Sequence, residues 1–574
     1  MVDTSCIRAL KSKRCGEIRA YDVSTGELLK TLGSSEVVNA AAFTPDGRSV
    51  LAGGWDVDHP RDALNLWNVA AGGIQSTFKE QLAVVESVAV SPQGTSAVSA
   101  DRDGKINFWK LRNGELLASL IDTGDGNGLA ITAPEGFFSG SEDAARLVSV
   151  VRGFEVYSVD QFFQSLYRPD LVRQKLSGDL ENVVNVKMAR HGINLETVLN
   201  SGAAPKIIVT SPVSDSEFVD ADVIVQATVA NQGGGFGRLE WRVNGVVLGT
   251  QDLANAAADS GRDKKVTHKF SLGDGISVIE AVAYNSANLI ASLPASVVVK
   301  VRTTTTRPLP RLHVLAVGVD KYFDRSMTLN FAASDANAVA AAFNQPDAGK
   351  GIYQSVTIDV VLDGDATRQH LEKVFEDLGK AMRSDDVFLL YMSGHGETDD
   401  GRYYFIPQEA DNTSRESLLH SSIGQDEIQA WLARIPALRT VLIYDTCQSG
   451  STAEQRTGFR ESQHLVATEK LSQSVGRTVL AATTDTASAT ELDGHGIFTS
   501  ALLDALALGD ENHDGRIEVT ELAGYLKANL PNLSEKNGVR RQIPQVKVTG
   551  SDFTLLNRIK TSAIDDIRRQ GLQQ

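Results

Sequence analysis

An all-β front half followed by an α/β unit with a mainly parallel sheet is the multidomain fold that the sequence predicts. Three observations carry it. Residues 16–128 repeat with a period of about forty. Residues 204–302 hold short stretches in which apolar and polar residues alternate, as in half-buried strands. From residue 311 onward apolar runs take turns with amphipathic ones, the βαβα order of a sheet covered on both faces. With 574 residues the chain exceeds one ordinary core. The expected divisions are 1–150, a helical connector 151–203, 204–302, a linker 303–310, 311–553 and a helical tail 554–574.

In the first division, Ile18-Arg-Ala-Tyr-Asp-Val, Leu64-Asn-Leu-Trp-Asn-Val and Ile106-Asn-Phe-Trp-Lys-Leu are alternating strands. Each leads to a glycine turn and a further strand, at Gly26-Glu-Leu-Leu, Gly73-Ile-Gln-Ser and Gly114-Glu-Leu-Leu. Ala40-Ala-Ala-Phe-Thr-Pro-Asp-Gly and Ser87-Val-Ala-Val-Ser-Pro-Gln-Gly lie between them. This pattern resembles WD-repeat propeller blades with degenerate Trp-Asp positions. About three blades are visible, where a closed ring takes about four to eight. The role expected is a binding platform for a partner or substrate, and no residue there suggests chemistry.

The connector begins with the helical spacing of Val159-Asp-Gln-Phe-Phe-Gln-Ser-Leu-Tyr, which Arg168-Pro-Asp breaks. In 204–302, four alternating strands around Trp241 predict an immunoglobulin-like sandwich without a disulfide. Asn244-Gly is hairpin chemistry. Thr303-Thr-Thr-Thr-Arg-Pro-Leu-Pro reads as a linker.

The α/β unit offers strands at Val314-Leu-Ala-Val-Gly-Val, Val356-Thr-Ile-Asp-Val-Val, Val387-Phe-Leu-Leu-Tyr-Met, Val441-Leu-Ile-Tyr and Val479-Leu-Ala-Ala, with helices over 333–343, 367–380 and 425–433. Two of the strands are apolar at nearly every position, which suits burial on both faces. They end in small residues that carry one reactive side chain each, His395 and Cys447. Chemistry in such sheets gathers at the carboxyl ends of the strands. A thiol needs a base to attack at neutral pH, and an imidazole suits that task. Gly394 and Gly396 leave backbone uncovered beside His395, so an N–H there can approach a developing oxyanion. His495-Gly496 is a rival pair, but no buried strand precedes it, and it reads as a loop histidine. His370, His420 and His464 have no comparable setting.

The stretches Ser393-Gly-His-Gly and Asp445-Thr-Cys-Gln-Ser-Gly resemble the His and Cys boxes of caspase-like cysteine peptidases, with metacaspases, paracaspases and their bacterial relatives the nearest in pattern. Leu315-Ala-Val-Gly-Val-Asp-Lys-Tyr, Leu329-Asn-Phe-Ala-Ala-Ser-Asp-Ala, Gly496-Ile-Phe-Thr-Ser-Ala-Leu-Leu and Gln542-Ile-Pro-Gln fit the same family in its order, over about residues 311–553. The resemblance implies a caspase-like α/β domain and a Cys-His dyad. Cys447 would form an acyl-enzyme and His395 would move the proton, with the N–H groups of Cys447 and Gly396 as oxyanion hole. No third catalytic residue is evident.

Alternation along the strand puts Asp445 on the same side as Cys447, and an acid there would pair with a basic substrate side chain. Asp335 matches the second acid of the metacaspase and paracaspase pocket, whereas caspases proper use arginines. The expected substrate is therefore a protein or peptide cut after Arg or Lys. The resemblance also implies that 451–477, with Arg456, Arg460, Lys470 and Arg477, joins two portions of the catalytic unit and can be cut by the enzyme itself.

Asp510-Glu-Asn-His-Asp-Gly-Arg-Ile-Glu-Val-Thr-Glu matches an EF-hand loop. Asp510, Asn512, Asp514, the Arg516 carbonyl and a bidentate Glu521 would bind calcium, between helices at 501–507 and 522–530. Calcium is thus the one cofactor expected.

Composition bounds the alternatives. A net charge of −16, from 56 basic and 72 acidic residues, argues against a nucleic-acid partner. No apolar run has transmembrane length, and the start lacks signal-peptide order. Three cysteines without a CxxC pair exclude a disulfide framework and predict a reducing, cytoplasmic setting. The rival reading from another class is a caspase-like scaffold without activity, which both Cys447 and His395 argue against.

Overall fold

The computed structural model describes residues 2–5, 16–34, 37–55, 63–124, 127–179, 182–254, 263–303, 308–448, 458–482, 491–492, 494–538 and 541–571. The chain divides into two compact units, Met1–Asn200 and Ser201–Gln574. Among the described residues no helix is long and apolar enough to cross a membrane.

In the first unit the repeats form antiparallel sheets of three, four and six strands. Trp67 and Trp109 turn inward and are buried, whereas Trp55 is exposed, and Phe78 meets Trp109 edge to face. Trp109 Nε1 donates to Ser99 Oγ at 2.9 Å, and Ser99 Oγ donates to Gln81 Oε1 at 2.8 Å. The buried polar group is thereby satisfied inside the sheet. The connector is more than a spacer. Pro169 opens the helix Pro169–Leu176, a position where its missing N–H does no harm. Lys175 on that helix reaches the buried Glu135 at 2.8 Å.

The second unit begins with a sandwich. Lys206–Ser211, Asp222–Ala230 and Lys264–Ser271 form one sheet; Ser216–Phe218, Ala295–Val301, Gly275–Ala283, Arg238–Val243 and Val246–Asp252 form the other. Alternate residues such as Val223, Val225, Ala227 and Val229 are buried, and Trp241 fills the middle of the shared core.

The α/β domain has the strand order Val356–Leu362, Leu312–Gly318, Val387–Asp399, Arg439–Gln448, Thr478–Ala481 and Gln545–Lys547. The first five are mutually parallel and the last is antiparallel. Leu312–Gly318 is buried at every position. One face of the sheet is covered by helices Ala332–Phe343, Ile497–Leu508, Val519–Lys536 and Thr561–Gly571. The other is covered by Arg368–Ala381, Gln425–Leu432 and Gly458–Val475. Arg368–Ala381 shows how sequence makes such a helix: Thr367 caps it by accepting the His370 N–H, and Leu371, Phe375 and Leu378 bury one stripe. Each such side chain contributes about 1.5–3 kcal/mol.

Three features were not anticipated in the sequence. The segment 451–477 holds a helix, Gly458–Val475, and its Lys470 and Arg477 are buried. Of its four basic candidates for self-cleavage, Arg456 lies outside the described residues and Arg460 lies in the first turn of the helix. The segment 554–571 adds to the domain rather than trailing from it, because Thr554–Asn557 pairs with Arg516–Glu518 and the following helix buries Ile564 and Ile567. The sandwich is joined to the α/β domain through polar contacts. Glu240 is buried between Arg238 at 3.0 Å and Arg242 at 2.7 Å. It also accepts from Gln429 Nε2 at 2.9 Å, and Gln429 Nε2 donates to the Ser474 carbonyl at 2.7 Å. Burial pushes the Glu240 carboxyl up, but the charges of Arg242 and Arg238 outweigh it and hold it below its usual range.

Candidate active site

The two long strands carry the expected dyad to one place. In the parallel ladder His395 is paired with Cys447, and Gly396 with Gln448. The two backbones are therefore one strand spacing apart, about 4.8 Å. They lie at the carboxyl ends, beside the point where strand order reverses around Leu312–Gly318.

His395 is held from both ends. Its backbone N–H donates to Tyr322 Oη at 2.7 Å, and the Tyr322 ring lies against the imidazole with centroids 5.0 Å apart. Gly394, one residue earlier, has φ +150°, and a Cβ there would meet the same Tyr322 hydroxyl at 2.8 Å. Only glycine fits both demands. The imidazole Nε2 lies 2.8 Å from the Met327 carbonyl. A carbonyl can only accept, so Nε2 carries the proton. Nδ1 is then the basic nitrogen, and it is buried with no hydrogen-bond partner among the described residues. Burial lowers the His395 pKa, against a smaller opposite effect from the Met327 carbonyl, which keeps the ring neutral. Neutral imidazole with a bare Nδ1 is the form that can take a proton from a thiol.

Met327 and Tyr322 were not assigned roles from the sequence. The Leu315–Tyr322 stretch marked the region, but a backbone carbonyl has no side-chain signal. Asp320 also lies there. Its carboxylate accepts the N–H groups of Ala332 at 2.7 Å and Ala333 at 3.1 Å, and so caps the helix Ala332–Phe343.

That helix delivers Asp335, and the cysteine strand delivers Asp445. The structure brings the two acids together around Gly496. A Cβ on Gly496 would lie 3.0 Å from Asp335 Oδ2 and 3.5 Å from Asp445 Oδ2. Gly496 N–H donates to Asp335 at 3.2 Å, and Thr499 Oγ1 donates to Asp445 Oδ2 at 2.6 Å. Tyr391 Oη donates to the same oxygen at 3.3 Å. Among the described residues, no lysine or arginine pairs with either carboxylate. Burial, with the charge of Asp335, pushes Asp445 up to about 7. Burial likewise raises Asp335 well above the usual carboxylate range. Tyr391 and Thr499 were missed in the sequence; the Gly496-Ile-Phe-Thr motif was the only available signal for Thr499.

His495 is not the loop histidine expected. It is fully buried in the short strand His495–Gly496, with Nδ1 at 2.9 Å from Asp335 Oδ1.

The loop from Asp510 to Glu521 is arranged as a closed turn, with Gly515 at φ +85°. Glu521 Oε1 accepts the N–H groups of Glu511 and Asn512, and Oε2 accepts that of Glu518. Asp510 Oδ2 accepts from Gly515 N–H at 3.1 Å and faces Arg558 at 3.7 Å. The oxygens of Asn512 and Asp514 accept the N–H groups of Asp514 and Arg516. Among the described residues, no three Asp, Glu, His or Cys side chains converge on a metal position. Among the described residues, Asp510 Oδ1 is buried with no hydrogen-bond partner.

Comparison with known proteins agrees with this geometry. The family model described as the caspase domain matches residues 311–553, and that for the WD domain, G-beta repeat, matches 26–56 and 72–110. Periodic tryptophan protein 2 homolog of Schizosaccharomyces pombe is 32% identical over 110 residues, 18% of this chain and 12% of that protein. Periodic tryptophan protein 2 of Arabidopsis thaliana is 30% identical over 106 residues, 18% of this chain and 11% of that protein. The chain spans about an eighth of the length of these curated relatives. A crystal structure of a Geobacter sulfurreducens protein aligns at 16% identity and TM-score 0.28, over 42% of this chain and 94% of that one. Fibronectin(III)-like modules of Clostridium thermocellum CbhA align at 22% identity and TM-score 0.15, over 17% of this chain and all of theirs. The chain thus carries a caspase domain, with its cysteine-peptidase-like fold, at residues 311–553 and WD repeats ahead of it in sequence.

Proposed function

We propose that the protein is a cysteine endopeptidase that cleaves after Arg or Lys, with Cys447 as nucleophile and His395 as base. The observation that carries the reading is the acid pair beside the paired strand ends, Asp335 buried and Asp445 half-buried, with no basic partner among the described residues. Two carboxylates in one low-dielectric site repel each other. A substrate guanidinium or ammonium relieves that repulsion and forms charge-assisted hydrogen bonds.

In the proposed reaction the Cys447 thiol loses its proton to His395 Nδ1 and attacks the scissile carbonyl. The backbone N–H groups of Cys447 and Gly396 receive the oxyanion. The imidazolium then protonates the leaving amine, and water releases the acyl group. The Met327 carbonyl stabilises the imidazolium through Nε2–H. The WD repeats and the sandwich serve partner or substrate sensing, and self-processing falls at Arg456 or Arg460.

A positional library of fluorogenic peptides tests this, with Cys447→Ala as control. Cleavage after Arg and Lys that vanishes in the control is expected. Preference for Asp, or no cleavage of any peptide by folded protein, refutes it.

A further inference from the structure

Sequence offered His495 as a second candidate base. In the fold it sits behind the acid pair instead. Three residues of one short segment grip both acids. His495 Nδ1 is 2.9 Å from Asp335 Oδ1, Gly496 N–H reaches the same carboxylate, and Thr499 holds Asp445. With Oδ1 engaged by the imidazole, Asp335 Oδ2 is the oxygen that lies near the point shared with Asp445. Ser334 Oγ donates to the Gly494 carbonyl at 3.2 Å, which ties the first turn of the Asp335 helix to this segment.

The imidazole is walled from behind by the C-terminal helix Thr561–Gly571, beyond the matched domain. A Cβ on Gly571 would come within 2.5 Å of His495 Nε2 and 2.7 Å of its Cε1, so any side chain there would displace the ring. The helix is anchored by Arg568, which donates to Asp504 at 2.7 Å and to the Ser500 carbonyl at 2.9 Å. Both acceptors lie on the helix that carries Thr499.

We propose that His495 is a positioning residue for substrate specificity. By its hydrogen bond to Asp335 Oδ1 it fixes Oδ2 toward the basic side chain that precedes the cut, and the C-terminal helix holds the imidazole in place. This rests on the basic-specific reading above. A carboxylate free to rotate away from its neighbour would lower their repulsion but weaken the grip on a cation. The imidazole blocks that rotation.

The test uses the full chain with His495→Phe, His495→Asn and Gly571→Val. His495→Phe removes the donor, and KM for Arg and Lys peptides should rise about tenfold or more with kcat within about twofold. His495→Asn places an amide N–H near the Nδ1 position and should restore KM to within about threefold. Gly571→Val, which leaves His495 intact in sequence, should raise KM as the Phe variant does. Alkylation of Cys447 by iodoacetamide should proceed at the wild-type rate in all three. If His495→Phe does not fold, as judged by circular dichroism, the Asn and Val variants decide alone. Unchanged KM in Phe and Val, or parallel loss of kcat and alkylation rate, overturns the inference while leaving the peptidase reading intact. Failure of the wild type to cleave after Arg or Lys, with normal alkylation, removes the specificity reading and this inference together.

Discussion

Asp445→Asn should make the protein more stable and nearly inactive, and the gain should depend on pH. In the folded chain burial and Asp335 move the carboxyl from its usual 3.8 to about 7. At about 1.4 kcal/mol per pH unit this sets a ceiling of about 4 kcal/mol on the penalty of ionising it in place. Asp445 keeps some contact with solvent, so a gain of about 2–3 kcal/mol is the working figure. The sign follows from proton binding. Below about pH 4 the carboxyl is protonated in folded and unfolded chains alike, and the substitution changes little. Between about 4 and 7 the folded chain holds a proton that the unfolded chain has released, so stability of the wild type falls as pH rises. Above about 7 the full penalty applies. Asparagine keeps an oxygen for Thr499 and Tyr391 but carries no charge. Urea unfolding of both proteins at pH 4, 6 and 8 reads the difference. Meanwhile kcat/KM for Arg peptides should fall about a hundredfold or more, about 2.7 kcal/mol of lost charge pairing. A variant that is less stable at pH 8, or whose gain is the same at pH 4, refutes the account of a strained acid pair.

Three further outcomes follow from single contacts. Gly394→Ala forces φ +150° on a residue with a Cβ and drives it into Tyr322 Oη; kcat should fall at least about tenfold through misplacement of His395, as a peptide assay with active-site titration will read. Glu240→Ala removes the buried acid from between Arg238 and Arg242 and should destabilise the second unit by about 3–5 kcal/mol in urea unfolding; a change under about 1 kcal/mol would show that the sandwich contact is not structural. Glu521→Gln should lower stability in urea unfolding by about 1–3 kcal/mol because three backbone N–H groups lose a charged acceptor; an unchanged unfolding midpoint would show that these contacts do not hold the loop.

What was legible in the sequence was whatever depends on local pattern. Leu312–Gly318 and the two strand ends announce themselves by unbroken apolar runs closed by glycine, because burial on both faces leaves no polar position. The meeting of His395 with Cys447 was legible as two strand ends of one parallel sheet, whereas that of Asp335 with Asp445 followed from family resemblance. Spacing alone could not align residues that lie 52 and 110 positions apart. The Met327 carbonyl was illegible because every residue has one. Helix Gly458–Val475 was hidden by a polar composition: its mean hydropathy is close to neutral, and it buries polar side chains such as Lys470, Ser472 and Ser474. His495 was misread because its two-residue strand is too short to show a period, and its partner lies 160 residues away.

The acid pair also favours the proposed enzyme over a scaffold on physical grounds. A caspase-like platform that only binds partners through its WD repeats has no use for two ionisable carboxylates in a buried site, one of them raised to about 7. Threonine or asparagine could make the contacts that Asp445 makes with Thr499 and Tyr391 without repelling Asp335. The same holds at His395, where Nδ1 of a neutral ring is buried with no hydrogen-bond partner among the described residues. Both features weaken the resting fold, and both are relieved by the same event: a basic side chain between the acids, and a thiol proton on Nδ1. A site whose separate strains are removed together by one substrate is better explained by catalysis than by packing.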